Sequence, residues 1–237
     1  MTVLLTSDLH FEEEDEQFRE RTLEELLELG DAGYAWVPGD VGEQEDWDRL
    51  EDAFSGLELR YSPGNMDSLD GEGYYADRET TTVGPEEDPK LGGSGVKTGD
   101  VTDFVKNVEL FEEEVSGNGY KVLFSHNPRH VGIDPWEQEF IPDGENDRGR
   151  RTADHGFYDI IVTAHYHTGD AYVNENGALV VQSPSAQENY REDAPERTAQ
   201  LLEMEGEDVT VRERDLEDGE IFYEKSFRYD GDGFREL

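Results

Sequence analysis

The side chains best suited to bind a metal ion follow short apolar segments of the chain. They are Asp8, His10, Asp40, Asn65, His126, His165 and His167. Four of the six histidines belong to this set. Carboxylate, amide and imidazole ligands together suit a divalent ion such as Mn, Fe, Zn or Co. Seven ligands are too many for one tetrahedral site, but they suffice for two ions that share a bridging carboxylate.

The apolar segments are predicted strands, and these elements must position the set. Strands are predicted at 3–6, 34–37 and 57–61, with helices at 13–29 and 45–54 between them. This β-α-β-α-β order is typical of a layered α/β fold. Later elements are strands at 120–124 and 158–163, a helix at 101–115, and hairpins of strands 171–173 with 179–181 and 198–204 with 209–214. Because open α/β sheets place their sites at strand ends, we expect the set to converge there.

The composition predicts a folded chain with an acidic, lysine-poor surface. Sixty acidic and twenty basic residues give the 237-residue chain a formal charge of -40. Apolar runs such as 122–124 and 160–162 lie between the acidic residues and argue against disorder. In molar salt the Debye length falls to about 3 Å, so surface carboxylates no longer repel one another. We therefore interpret the charge as adaptation to high salt and expect a halophilic source.

Several functional classes are excluded or disfavoured. The chain has no cysteine, which excludes disulfides, zinc-thiolate sites and thiol catalysis. It has no apolar stretch of about 18 residues and no signal-like start, so we expect a soluble, cytoplasmic protein without a membrane partner. Duplex nucleic acid is a poor partner for so acidic a chain, because its binding depends on Lys and Arg. The oligomeric state is left open.

Five short motifs, in their order and spacing, resemble those of the calcineurin-like metallophosphoesterases. They are Asp8-Leu9-His10, Gly39-Asp40, Gly64-Asn65-Met66-Asp67, Ser125-His126 and Ala164-His165-Tyr166-His167, and Gln182-Ser183-Pro184-Ser185 is similar to a further turn of that family. The resemblance spans residues 3 to 186. It implies one domain over residues 1–237, built as a four-layer α/β/β/α sandwich of two mixed sheets flanked by helices.

The resemblance also implies a ligand set and a reaction. Asp8, His10 and His167 would bind a first metal, Asn65, His126 and His165 a second, and Asp40 would bridge them; of these, Asp40, Asn65 and His126 are the expected catalytic residues. Mn is the expected ion, with Fe, Ni, Zn and Co as alternatives. A hydroxide between ions about 3.5–4 Å apart would attack phosphorus in line. The implied activity is that of a dinuclear phosphoesterase acting on a small phosphodiester or nucleotide-type substrate.

Met66 departs from the family pattern. Many members carry a histidine there that is described as protonating the leaving oxygen, and methionine cannot transfer a proton. The substitution favours diesters and activated leaving groups over alkyl monoesters. An alternative is that Met66 only fills an apolar gap. Glu43 and Ala164 are milder departures, at positions where the family has Asp and Gly.

Residues that could contact substrate are few. Arg148, Arg150 and Arg151 lie between two ligand strands and could bind phosphate oxygens, but ion pairs with nearby acidic residues are an equal alternative. His130 could reach substrate or act as an acid, or it could be a surface histidine. Asp67 is expected to support the metal loop through hydrogen bonds.

Two other functions compete with the phosphodiesterase. One is a nuclease related to the double-strand-break repair nucleases, against which Met66, the short chain and the acidic surface all count. The other is a non-catalytic metal-binding scaffold of the same fold, against which the seven intact ligand positions count.

Salt should control the stability of this chain. We expect the melting temperature to fall when KCl is lowered from about 2 M to about 0.1 M, because unscreened carboxylates repel one another. Thermal unfolding followed by circular dichroism measures this effect. A melting temperature that stays constant across that range would contradict the halophilic interpretation.

Overall fold

Two mixed β-sheets form the framework of the protein. The computed structural model describes residues 1–61, 64, 66–67, 82–83, 92–93, 120–128, 133, 158–191 and 193–237. The first sheet contains β1 (Thr2–Leu5), β2 (Tyr34–Val37), β3 (Glu58–Tyr61), β10 (Thr198–Glu205), β11 (Asp208–Asp215), β12 (Ile221–Tyr229) and β13 (Phe234–Glu236). Its order is β13-β12-β11-β10-β1-β2-β3. Strands β1 to β3 run parallel, and β10 joins them by pairing antiparallel with β1.

The second sheet contains β4 (Thr82–Val83), β5 (Gly92–Gly93), β6 (Tyr120–Ser125), β7 (Ile160–Thr163), β8 (Asp170–Val173) and β9 (Leu179–Gln182). Its order is β4-β6-β7-β9-β8, and β5 also pairs with β6. Strands β6, β7 and β9 are parallel, whereas β8 is antiparallel to β9. The predicted α/β class with two mixed sheets is confirmed.

Two helices connect the parallel strands of the first sheet. Helix α1 (Glu16–Glu28) is capped by the Asp15 carboxylate, which accepts the Phe18 N–H, and follows a 3-10 turn at Phe11–Glu13. Helix α2 (Gln44–Ala53) begins at a capping box formed by Glu43 and Asp46. Glu43, one of the departures from the family pattern, is therefore a helix cap.

Both helices were predicted from the sequence, although α1 begins later because of the 3-10 turn. The helix predicted at 101–115 lies outside the described residues. Within them, no helix is long and apolar enough to cross a membrane.

The apolar residues divide between two cores according to the strand pleat. Val3 and Leu5 of β1 face the second sheet, whereas Leu4 between them faces the helices. In the core between the sheets, Trp36 of β2 packs edge-on against Phe124 of β6, with ring centroids 5.4 Å apart. This contact joins the two sheets directly.

The helix-side core is built from the inward faces of α1 and α2. Leu23 and Leu26 of α1 and Trp47 and Leu50 of α2 are buried in one cluster with Leu4. The helices thereby fix the β1–α1 and β2–α2 loops, which carry the first two predicted ligand motifs.

Strands β12 and β13 are not predicted from the sequence. The burial of β12 does not alternate, and Phe227 is its one buried residue, so its sequence lacks the period-two apolar pattern of a half-buried strand. It forms because β11 offers a long antiparallel partner from Asp208 to Arg214.

Trp36 should be a principal contributor to stability. We expect Trp36→Ala to lower the free energy of unfolding by about 3–5 kcal/mol, because it removes a fully buried ring from between the sheets. Leu27→Ala is the matched control, because Leu27 is 42% exposed on α1. Urea unfolding in about 2 M KCl compares the two variants; equal losses would contradict the packing argument.

Candidate metal centre

Loops at the carboxyl ends of parallel strands meet at one edge of the two sheets. These loops follow β1, β2, β6 and β7, and they bring together six of the seven predicted ligands. Asp8, His10 and His167 form one group, and Asp40, His126 and His165 form a second; within each group the candidate ligand atoms lie within 4.8 Å of one another. The seventh, Asn65, lies outside the described residues.

The first group is built around a contact between two imidazole rings. Nε2 of His10 lies 3.3 Å from Nε2 of His167, and Nε2 of His167 lies 3.5 Å from Oδ1 of Asp8. The other nitrogen of each ring faces an oxygen. Nδ1 of His167 donates to the Glu188 carbonyl at 3.1 Å, and Nδ1 of His10 is 3.5 Å from the Glu12 carboxylate.

The second group has the same character and is more deeply buried. Nε2 of His126 lies 3.0 Å from Oδ2 of Asp40 and 3.2 Å from Nδ1 of His165. Nδ1 of His126 donates to the Pro38 carbonyl at 2.8 Å. Because a carbonyl can only accept, that hydrogen bond leaves Nε2 as the free nitrogen of the neutral ring.

Asp8 lies between the groups and carries an unsatisfied buried oxygen. Its Oδ2 accepts hydrogen bonds from the Ser7 hydroxyl (2.6 Å) and the His165 N–H (3.2 Å). Its Oδ1 is buried without a hydrogen-bond partner and lies 4.0 Å from Nε2 of His126 in the second group. The predicted bridging role of Asp40 is not tested by these distances and stays a prediction.

These contacts fit divalent ions chemically. In His126 and His167, Nδ1 donates to a backbone carbonyl, so Nε2 of each neutral ring carries the lone pair and lies near a carboxylate and a second ring nitrogen. A bound cation would stabilise this arrangement. Histidines that bind metals characteristically donate their other N–H to a carbonyl or carboxylate. A buried carboxylate oxygen without a hydrogen bond is costly unless a cation compensates it.

The charges of the group members respond to the same crowding. Burial raises the pKa of Asp8, but the His167 ring 3.5 Å away and attraction to His126 outweigh it and lower the pKa to about 2. Burial lowers the pKa of His126, yet Asp40 and Asp8 raise it to about 9. Burial and the neighbouring His126 lower the pKa of His165. A metal ligand must be deprotonated, so metal binding here would displace the proton of His126.

The backbone is strained at the same place. Among the described residues, the non-glycine residues with positive φ are Asp8 (51°), His10 (44°), Asp40 (53°), His165 (77°) and His167 (54°). All five belong to the two groups. Left-handed backbone in L-residues costs about 1 kcal/mol or more each and persists where the surroundings impose it. Its concentration at the centre indicates that the loops are shaped to direct these side chains inward.

Two motif glycines allow the β2 and β3 loops to approach closely. Gly39 has φ of 106°, and a Cβ there would lie 2.5 Å from the Gly64 nitrogen. A Cβ on Gly64 would lie 2.5 Å from the Asp40 nitrogen. Neither position has room for a side chain, which explains why glycine precedes both Asp40 and Asn65.

Asp67 fastens these two loops together, in agreement with the role predicted for it. Its buried carboxylate accepts four backbone N–H groups, from Asp40 (3.0 Å), Val41 (2.8 Å), Gly42 (2.9 Å) and Gly64 (2.6 Å). Met66 N–H in turn donates to Oδ1 of Asp40 at 2.7 Å. The orientation of Asp40 thus depends on the β3 loop from both sides.

The remaining residues that the sequence singles out have different outcomes. The Met66 side chain is 49% exposed, so it does not fill an apolar gap, and that alternative is wrong. Ser185 of the Gln-Ser-Pro-Ser turn donates to the Asp8 carbonyl at 2.9 Å and so ties β9 to β1. His130, Arg148, Arg150 and Arg151 lie outside the described residues.

One part of the site is not predicted from the sequence. The segment 188–191 contacts His167 through the Glu188 carbonyl and the Tyr190 N–H, which donates to the His167 carbonyl at 2.9 Å. It contains no motif, and a tyrosine among acidic residues gives no local signal of a site.

Loss of the Asp67 carboxylate should weaken metal binding. We expect Asp67→Asn to lower the affinity for Zn²⁺ about 10- to 100-fold, because its amide NH₂ would oppose backbone donors that now orient Asp40. Calorimetric titration in about 2 M KCl measures the affinity, with circular dichroism to verify folding.

Asp159→Asn is the control for this prediction. Asp159 also accepts a backbone N–H, from Lys121 at 2.7 Å, but it belongs to neither group. Equal Zn²⁺ affinities of the two variants would contradict the role assigned to Asp67.

Comparison with known proteins places the fold but not the activity. No protein-family model matches the chain, and no curated protein is similar to it. A Vps29 mutant from Entamoeba histolytica aligns with 97% of this chain and 100% of its own, at 17% identity and a TM-score of 0.53. A protein from Streptococcus pneumoniae described as a predicted phosphoesterase aligns with 100% of this chain and 97% of its own, at 16% identity and a TM-score of 0.53.

Vacuolar Protein Sorting 29 from Cryptosporidium parvum also aligns, with 96% of this chain and 98% of its own, at 19% identity and a TM-score of 0.51. At these identities the likeness shows a shared fold alone, one that is consistent with the calcineurin-like metallophosphoesterase fold. Activity has to be argued from the site.

Proposed function

We propose that the centre formed by the two groups hydrolyses phosphate esters with two divalent ions, and phosphodiesters in preference to alkyl monoesters. The observation that carries the proposal is the adjacency of two Asp-His-His groups around the unpartnered Oδ1 of Asp8. Two neighbouring cation sites of this composition suit two-metal phosphoryl transfer. The likeness in fold to a predicted phosphoesterase supports the same reaction class.

Each residue has a defined part in this proposal. Asp8, His10 and His167 hold one ion, Asn65, His126 and His165 hold the other, and Asp40 is shared. The carbonyls of Pro38 and Glu188 orient His126 and His167 through their Nδ1 atoms. When bound, such ions lower the pKa of water and offset the charge on phosphoryl oxygens. We propose Mn as the ion, with Fe, Ni, Zn and Co as alternatives.

Met66 sets the expected preference among esters. Its thioether cannot donate a proton to a leaving oxygen, and its side chain is exposed in the loop whose backbone binds Asp40. Esters whose alcohol leaves easily as an anion, such as aryl diesters, are therefore favoured over alkyl monoesters.

A non-catalytic scaffold is the second candidate. Two of the similar structures are vacuolar protein sorting proteins, and the chain lacks the proton donor at position 66. A metal-binding scaffold would keep the same two groups, so turnover of a phosphate ester, and not metal binding, distinguishes the two candidates.

Further sequence-based expectations stay proposals. We propose a single domain over residues 1–237, a halophilic source, a cytoplasmic location, a small phosphodiester substrate and no binding of duplex nucleic acid. The arginines Arg148, Arg150 and Arg151 and His130 remain proposed substrate contacts.

Hydrolysis of bis-p-nitrophenyl phosphate beside p-nitrophenyl phosphate tests the proposed activity. In about 2 M KCl with Mn²⁺, we expect diester cleavage that EDTA abolishes and that exceeds monoester cleavage. No turnover of either substrate with Mn, Fe, Ni, Zn or Co would contradict the enzyme proposal and favour the scaffold.

Asp40→Asn tests whether the centre is the source of that activity. It should lower kcat/KM on the order of 10³-fold, because several kcal/mol of charge stabilisation are lost with the shared carboxylate. Asp52→Asn, on the exposed face of α2, should leave the rate unchanged. Equal rates in both variants would place the activity elsewhere.

A further inference from the structure

Tyr190 lies beside the first group, with one face of its ring against His167 and more than half of the residue exposed. Its ring stacks on the His167 ring, with centroids 4.8 Å apart and an interplanar angle of 10°. The residue is nevertheless 55% exposed. One face of the aromatic ring therefore lies on a candidate metal ligand while much of the side chain faces solvent.

The position of Tyr190 is set by its backbone and its neighbours. The N–H of Tyr190 donates to the His167 carbonyl at 2.9 Å, and the Arg191 guanidinium donates to the Gly169 carbonyl at 3.0 Å. Asn189 anchors the segment from the other side, because its amide donates to Oε1 of the buried Glu213 at 3.0 Å. A ring held in this way loses little conformational entropy when a ligand stacks on it.

Two residues with exposed apolar side chains lie beside the centre. Among the described residues, the exposed large hydrophobic side chains are Leu27, Met66, Tyr190, Ile221 and Leu237. Two of the five adjoin the two groups: the Met66 N–H binds Asp40, and Tyr190 stacks on His167. In a chain of charge -40, an aromatic side chain exposed at such a centre is suited to contact a ligand.

The neighbouring Arg191 guanidinium already interacts with other residues of the protein. The Arg191 guanidinium is 3.3 Å from Asp193 and 3.7 Å from Glu213, and it lies over the Tyr223 ring at 5.4 Å. Recognition at this side of the centre therefore relies on stacking and not on an ion pair with Arg191.

We propose that Tyr190 determines specificity by stacking its outer face on an aromatic ring of the substrate, so that the substrate is a phosphodiester bearing a nucleobase. This inference rests on the proposed function and narrows its substrate class. His167 supports the ring from beneath, and the phosphate lies at the two groups beside it.

Two p-nitrophenyl diesters with the same leaving group test the stacking contact. Thymidine 5'-p-nitrophenyl phosphate carries a base, and methyl p-nitrophenyl phosphate does not. We expect Tyr190→Ala to raise the ratio of KM for the thymidine ester to KM for the methyl ester about 5- to 10-fold, because only the thymidine ester loses a stacking contact. Tyr190→Phe should keep the wild-type preference, since its ring still stacks. Ile221→Ala, an exposed apolar side chain of β12 that belongs to neither group, is the control.

A binding measurement separates this inference from the proposed activity. Saturation-transfer NMR with the Zn²⁺-loaded chain, Zn²⁺ being diamagnetic, should show transfer to the thymine protons in the wild type, Tyr190→Phe and Ile221→Ala, and a loss of at least about fivefold in Tyr190→Ala. If no diester is hydrolysed but this pattern appears, the proposed activity fails and the stacking site stands. No transfer to the base in the wild type, or equal transfer in Tyr190→Ala, overturns the inference whether or not the esters are cleaved.

Discussion

The buried carboxylate of Asp8 is the constraint on which the rest of this edge depends. It follows β1, in the middle of the first sheet, and accepts the N–H of His165 from the loop after β7 of the second sheet. Ser7 and Ser185 form a parallel bridge that also connects the loop after β1 to the loop after β9 of the second sheet. An ionised carboxylate at this depth needs compensating charge, so the histidines of both groups must approach it.

That requirement explains the strained loops. A strand that ended in ordinary extended or helical backbone would carry Asp8, His10, Asp40, His165 and His167 in other directions. The left-handed conformation turns each loop sharply. Because Gly39 and Gly64 have no side chains, the β2 and β3 loops can approach each other closely at these turns. The four hydrogen bonds of Asp67 then hold the β2 and β3 loops in the turned form. Hydrogen bonds between the loops thus offset the free-energy cost of the left-handed backbone.

Sequence patterns predict the part of this arrangement that is local. Strands β1, β2, β6 and β7 are short apolar runs, and polar metal-binding types follow each of them directly, so the convergence of six residues is foreseeable from parallel strand ends. The capped helices α1 and α2 have clear periodicity and clear stops. Strands β12 and β13 have no such pattern, because most of β12 is at least partly exposed and depends on pairing with β11.

The supports of the site are harder to foresee, because they are contacts between distant segments. Glu188 and Tyr190 contact His167, which lies about twenty residues earlier in the chain. Asn189 donates a hydrogen bond to Glu213, which lies on β11. Neither interaction leaves a spacing in the sequence that distinguishes these residues from other acidic or polar positions. The exposure of the Met66 side chain is equally hard to predict from the sequence, because it depends on how the β3 loop contacts Asp40.

The fold itself does not decide the activity, since a predicted phosphoesterase and a vacuolar protein sorting protein share it. The backbone bears instead on whether this edge of the sheets can bind cations. Glycine and asparagine adopt left-handed backbone with little cost, whereas the five non-glycine residues that do so in the described part of the chain are aspartates and histidines. The residue types that bear the strain are those whose side chains bind cations, and their free nitrogens and oxygens face one another. Within the described residues, strain at these five positions is therefore explained by the candidate cation centre that their side chains form.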